Sequence, residues 1–324
     1  MTQELSSADY ARFVADEYLG DFVREGGSAV KVAVAADRAA AVDLSRRVLA
    51  DAPGRGYVGV PVDAATTRIS LVQQLFHAIA QAVSWREAAQ EVVRRAARGH
   101  WGVEVDGAPT LERLGAATSL EPAVVRMEMQ RRLQNEVYRD YGLAKDFRVA
   151  MLSYCAAELE PDVVGDQTRA VLGEWLRGEL RLISAVKDRG IFQKIGRHNA
   201  RVMVSSTARW LRLAGHSGLA VVVDVDRLAV ARRNDLPDQA GLFYTQAHVM
   251  DAYEVVRQFI DATDEIDGCF ILVVAPSPLL TDDRRGFEAY AALKNRIWDD
   301  VRDRSRPNPY APMVRIAAEE RPDG

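Results

Sequence analysis

The chain has 324 residues, 48% of them apolar and 27% charged, with a formal net charge of −4. That length and apolar content allow one large domain or two smaller ones with a full core, and the acidic balance argues against a general nucleic-acid binder. No apolar run approaches the roughly 18 residues that span a bilayer, and the opening MTQELSSADYARF lacks the basic and apolar regions of a signal peptide, so a cytoplasmic location is expected.

In chain order, VKVAVAA from Val30 to Ala36 reads as a buried strand, followed by a helix from about Ala39 to Ala50. YVGVPV, Tyr57 to Val62, is the second strand. A long helical stretch follows, about Ser70 to Gly215, with apolar residues at helical spacing (Leu71, Leu75, Ile79, Val83; Met151, Cys155, Leu159) and breaks at Gly99 to Pro109, Pro122, Pro161 and Gly190. Three more apolar runs complete the set: Leu219 to Asp224, Cys269 to Ala275 and Met313 to Ile316. Near-continuous apolar strands separated by helical lengths imply an α/β fold, a five-stranded parallel sheet with helices on both faces. Residues 1–84 are read as the first part of the α/β core, 85–188 as a helical insertion, 189–318 as the remainder of the core and 319–324 as a frayed, charged tail.

The turn after the first strand, Asp37 to Val42, occupies the place of a phosphate-binding loop. Such a loop has the form G-x-x-x-x-G-K-[ST]: glycines let backbone N–H groups wrap the phosphates, the Lys neutralises them and the hydroxyl holds Mg²⁺. In register, this chain offers Ala35, Ala40, Ala41 and Val42, with Asp37 and Arg38 between. Lys31 stands at the opposite end of the strand, and Gly26, Gly27 and Ser28 precede it as a turn, so none replaces the lost groups. Arg38 reads either as a phosphate contact or as a solvated turn residue. Charge-assisted hydrogen bonds contribute about 1.5–3 kcal/mol each, so losing the Lys and the N–H cradle weakens nucleotide binding by several powers of ten. No cofactor is expected; Mg-ATP binding is millimolar or absent.

The third strand, LAVVVD, has the form of a Walker B element, whose Asp holds Mg²⁺ through water. Asp224 reads in that way or as a strand-end residue capping the next turn. The Glu that would activate water is replaced by Val225, and Asp226, the nearest acid, faces the other way in a strand. Ser277 follows the fourth strand where a sensor residue would stand, although Pro276 before it removes a backbone donor.

Taken together, FVREGGSAVKVAVA (Phe22 to Ala35), GHSGLAVVVDVDRL (Gly215 to Leu228), AYEVVRQFID (Ala252 to Asp261), LLTDDRRGFEAYAALKNRI (Leu279 to Ile297) and NPYAP (Asn308 to Pro312) resemble the BREX-type ATP-binding protein family, the BrxC/BrxD-like group of AAA+-related P-loop ATPases found in bacterial phage-defence loci. The resemblance implies an AAA+-like P-loop NTPase core with the sheet order of additional-strand ATPases. Ala40, Ala41, Val42 and Val225 depart from the family pattern and put its ATPase activity in doubt while leaving the fold intact. The leading expectation is a pseudo-ATPase serving as a structural or regulatory subunit of a defence complex, in a hetero- or homo-oligomer with an active ATPase relative or other defence-system subunits. Such a subunit can still lend a neighbour's site an arginine; Arg284, Arg285 and Arg296 are the candidates. An ATP-hydrolysing protein with a non-standard loop is the first alternative.

The second alternative is a DNA-binding subunit. The segment Lys187 to Arg212 carries seven Lys and Arg residues against one acid, Asp188, and a basic helix pair presenting Lys194, Arg197 and Arg201 could follow a phosphate backbone. The alternative for that segment is a solvated face or subunit interface. Cys155 and Cys269 show no CxxC or Cys/His clustering and read as buried thiols, the five histidines have no metal spacing, and no Ser/His/Asp or Cys/His arrangement supports a hydrolase. No metal site is assigned through these residues.

Overall fold

The computed structural model describes residues 4–236, 240–298 and 307–318; the tail 319–324, read above as frayed, lies outside them. The chain divides into two units, residues 1–79 with 217–324, and residues 80–216. In chain order the first contains α1 (Ser7–Phe13) continuing as a π-helix (Val14–Phe22), β1 (Ser28–Ala35), α2 (Arg38–Gly54), β2 (Tyr57–Asp63) and all but the last turn of α3 (Val72–Ala82). The second unit is helical: α4 (Trp85–Trp101), α5 (Leu111–Thr118), α6 (Pro122–Leu133), α7 (Lys145–Leu159), α8 (Val163–Arg177) and α9 (Ala200–Leu213). The chain then completes the first unit with β3 (Gly218–Asp224), α10 (Gln246–Asp261), β4 (Cys269–Pro276), α11 (Ala291–Ile297) and β5 (Met313–Ile316).

The strands form one parallel sheet in the order β2-β3-β4-β1-β5. Period-two alternation gives each strand two apolar faces. Ala33, Ala35, Ala220, Val222, Phe270 and Leu272 pack with Tyr10, Val14, Leu44 and Val48 on one side. On the other, Val30, Val223, Ile271 and Val273 gather with Ile69, Leu75, Ala252 and Phe259. Covering on both faces is why the strands are apolar nearly throughout. Gly218 opens β3 at φ +146°, and a Cβ there would lie 2.0 Å from the Gly268 carbonyl oxygen, so only glycine allows β3 to start against that backbone.

The helical unit packs around Trp85, Trp175, Trp210, Phe147 and Met151, all buried. It ends later than residue 188, where the insertion is drawn from the sequence. Helix α9 belongs to it because Ser206 Oγ accepts from Ala144 N–H at 2.9 Å and Arg209 Nε pairs with Asp140 at 2.7 Å. Both cysteines are buried free thiols. No helix among the described residues is long and apolar enough to cross a membrane.

Candidate functional site

Parallel registry aligns the carboxyl ends of the strands: Ala35 lies opposite Pro276, and Asp63 opposite Asp224. This rim, where strands hand over to helices, is where ligands of open α/β sheets bind. The connection from β1 to α2 consists of Ala36 and Asp37 alone. Asp37 is extended (φ −142°, ψ 175°), and its Oδ1 accepts the Ala40 N–H at 2.8 Å, a side-chain N-cap that starts the helix at Arg38. The sequence reading of a turn from Asp37 to Val42 is corrected accordingly: Arg38, Ala40, Ala41 and Val42 are helical, and Ala35 closes the strand.

This geometry differs from that of a phosphate loop. A phosphate loop requires several residues between strand and helix so that successive N–H groups converge on one anion; two residues cannot wrap one. The helix N-terminus, whose free N–H groups and dipole favour an anion, already holds the Asp37 carboxylate. Ala40 and Ala41 point into the core, 0% and 7% exposed, where they pack with Leu44 and Val48, while Val42 is 48% exposed.

Arg38 is not a free turn residue: its guanidinium forms a close ion pair with the Asp224 carboxylate at the end of β3. Burial works against the Arg38 charge, but the Asp224 hydrogen bond and the fields of Asp224, Asp226 and Asp63 more than offset it and hold the guanidinium above its ordinary range. The other Asp224 oxygen, Oδ1, accepts the Asp226 N–H at 2.9 Å. Burial, reinforced by Asp224 and Asp63 and opposed by Arg38 and Arg227, raises the Asp226 carboxyl. Val225 is buried and its N–H donates to the Val274 carbonyl at 2.9 Å, so this side chain is part of the core. Ser277 Oγ donates to the Ala36 carbonyl at 3.4 Å, which brings the fourth strand's polar residue to the same rim. Among the described residues no cluster of three or more acidic, His or Cys side chains is arranged to hold a metal ion.

The three arginines offered for a neighbour's site have different surroundings. Arg285 is 6% exposed: its Nη1 donates to the Leu228 carbonyl at 3.0 Å and its Nη2 to the Tyr244 carbonyl at 2.8 Å, so it knits three loops together and is unavailable to a neighbour. Arg296 pairs with Asp261 and donates to the Ala292 carbonyl at 2.6 Å. Arg284 is exposed, anchored through its backbone N–H to Asp282 Oδ1 at 2.8 Å. In the helical unit the expected basic helix pair is corrected as well. Lys194 and Arg197 lie in an irregular stretch between a 3₁₀ turn (Ile183–Arg189) and α9, and Arg201 alone of the three candidates is helical.

Sequence reasoning missed two features. One is the Arg38–Asp224 pair, which joins residues far apart in the chain at the ends of separate elements. The other is Lys31, whose side chain is 8% exposed overall and donates to the Tyr310 and Ala311 carbonyls at 2.6 and 3.2 Å with Nζ 5.0 Å from the Tyr18 ring centre. Burial pushes that ammonium down to about 8.

The parallel sheet and its rim thus define an α/β core, compatible with a P-loop NTPase-like fold, in which Asp37 and Arg38 engage the strand-to-helix turn. Residues 110–320 match the family model described as BREX system ATP-binding protein BrxC/D, and the chain belongs to that family. The matched residues include Asp224 and Arg284; β1, α2 and the string Phe22 to Ala35 precede them. No curated protein and no solved structure matches the chain.

Proposed function

We propose that this chain is a non-catalytic ATPase-fold subunit of a BREX defence complex. The observation that carries the reading is the closed β1–α2 turn: Asp37 occupies the helix N-terminus and Arg38 occupies Asp224. Membership of an ATP-binding family supports a P-loop NTPase ancestry of the AAA+-like, additional-strand kind, and the insertion of β4 between β1 and β3 agrees with it. The residues present do not fit Mg-ATP. An Asp carboxylate stands where phosphate oxygens would gather, and like charges at that spacing repel. Retaining the fold without the cradle is consistent with a surface kept for assembly, so the expected partners are an active ATPase relative or other subunits of the defence system, in the cytoplasm. The exposed Arg284 is the residue we assign to a neighbour's site.

The test is ATP turnover by the purified complex. Asp224→Ala in this chain is expected to leave turnover unchanged, whereas Arg284→Ala lowers it in an intact assembly. Loss of turnover with Asp224→Ala would mean that this chain carries a working site.

A further inference from the structure

Between the 3₁₀ turn Ile183–Arg189 and α9 the chain has no regular structure, yet it is firmly held. Ile191 and Ile195 are buried, the Gln193 carbonyl accepts from Trp175 Nε1 at 2.9 Å, Lys194 Nζ donates to the Arg181 carbonyl at 2.8 Å, and the Gly196 N–H donates to Asn199 Oδ1 at 2.8 Å. Between these anchors Phe192 points outward, 61% exposed, and Leu182 on the strand of chain bound by Lys194 is 70% exposed. The same stretch of chain carries four exposed cationic side chains, Arg181, Lys187, Lys194 and Arg197. The nearby acids are committed locally, Asp188 to Arg189 at 2.7 Å and Glu179 to Arg177 at 2.9 Å.

We propose that this loop binds single-stranded nucleic acid, with Phe192 as a stacking platform and Arg181, Lys187, Lys194 and Arg197 as phosphate contacts. A large aromatic ring left in water costs free energy that a stacked base recovers, and an ordered loop presents it without further loss of entropy. Local positive charge on a chain of net charge −4 favours a polyanion. A single projecting ring needs an unpaired base to stack on, which a duplex does not offer, and the loop contains no helix that could enter a major groove. Lys194 has three ammonium hydrogens, of which the Arg181 carbonyl takes one, so it can still donate to a phosphate.

The experiment uses the full chain and fluorescence anisotropy with labelled oligothymidine, a duplex of equal length and a polyglutamate peptide, across a salt series. Oligothymidine is expected to bind more tightly than the duplex, with log K falling linearly against log salt. Phe192→Ala should weaken binding about tenfold without altering the salt slope, while Phe192→Trp retains it. Arg197→Gln should reduce the slope by about 0.7, one released counterion. All these side chains are exposed, and unchanged melting temperatures would establish that the variants fold. Absence of binding at low salt, an equal preference for duplex, indifference to Phe192→Ala, or tighter binding of polyglutamate would each overturn the proposal.

Discussion

Replacing Asp37 by Ala removes the one side-chain acceptor that caps α2 while leaving the backbone Ala41 N–H to Asp37 carbonyl bond in place. N-cap removal costs about 0.5–2 kcal/mol, and loss of a negative charge at a helix N-terminus adds about 0.3–1 kcal/mol. Asp37 is solvent-exposed, which places both terms at their lower ends, about 1 kcal/mol together. For a unit of this size that lowers the melting temperature by about 2–4 °C. Urea unfolding and calorimetry read the change, and Asp37→Asn separates the terms because it keeps an acceptor and loses only the charge. Asp37→Ala is still expected to bind Mg-ATP no better than wild type, since the two-residue connection remains too short to wrap a phosphate. Stability unchanged within a few tenths of a kcal/mol, or equal losses in Asn and Ala, would refute the capping argument.

Two further outcomes follow from buried cations. Lys31 has its folded-state ammonium lowered to about 8 from 10.5, so between those values the unfolded chain binds more protons than the folded one and stability rises with pH; wild type should therefore gain relative to Lys31→Met as pH increases from about 8 to 10, measured by urea midpoints, and a relative loss would contradict the burial of Lys31. Arg285→Ala should destabilise by about 2–3 kcal/mol, because the Leu228 and Tyr244 carbonyls lose a charged donor inside the protein, and Arg285→Lys should not recover it; chemical denaturation at near wild-type stability would show that the guanidinium is not a structural tie.

The five strands were legible because burial on both faces leaves a mark that a single sequence carries: β3 and β4 are apolar from end to end. Their order depends on pairing between distant residues, as in Val32 with Val273, and local periodicity holds no record of that. At the candidate site the phosphate-loop template drew the turn to Val42, although Asp37 before an alanine run is itself a helix-start signal. The loss of the loop glycine, Lys and hydroxyl was plain from Ala40, Ala41 and Val42. That Arg38 would close on Asp224, 186 positions away, was not, because the pair exists only once β1 and β3 stand in one sheet. The end of the helical unit was misjudged for the same reason: the partners of α9, Asp140 and Ala144, lie more than 60 positions upstream.

The most direct measurement is titration of the purified chain with Mg-ATP, followed by turnover of wild type and Asp224→Ala. A ligand that binds only the native state raises stability by RT ln(1 + [L]/Kd), so with the turn closed by Asp37 and Arg38, millimolar Mg-ATP should leave the melting temperature nearly unmoved, and no turnover should appear in either protein. Micromolar binding, or hydrolysis that disappears with Asp224→Ala, would contradict the closed turn and favour an ATP-hydrolysing protein instead.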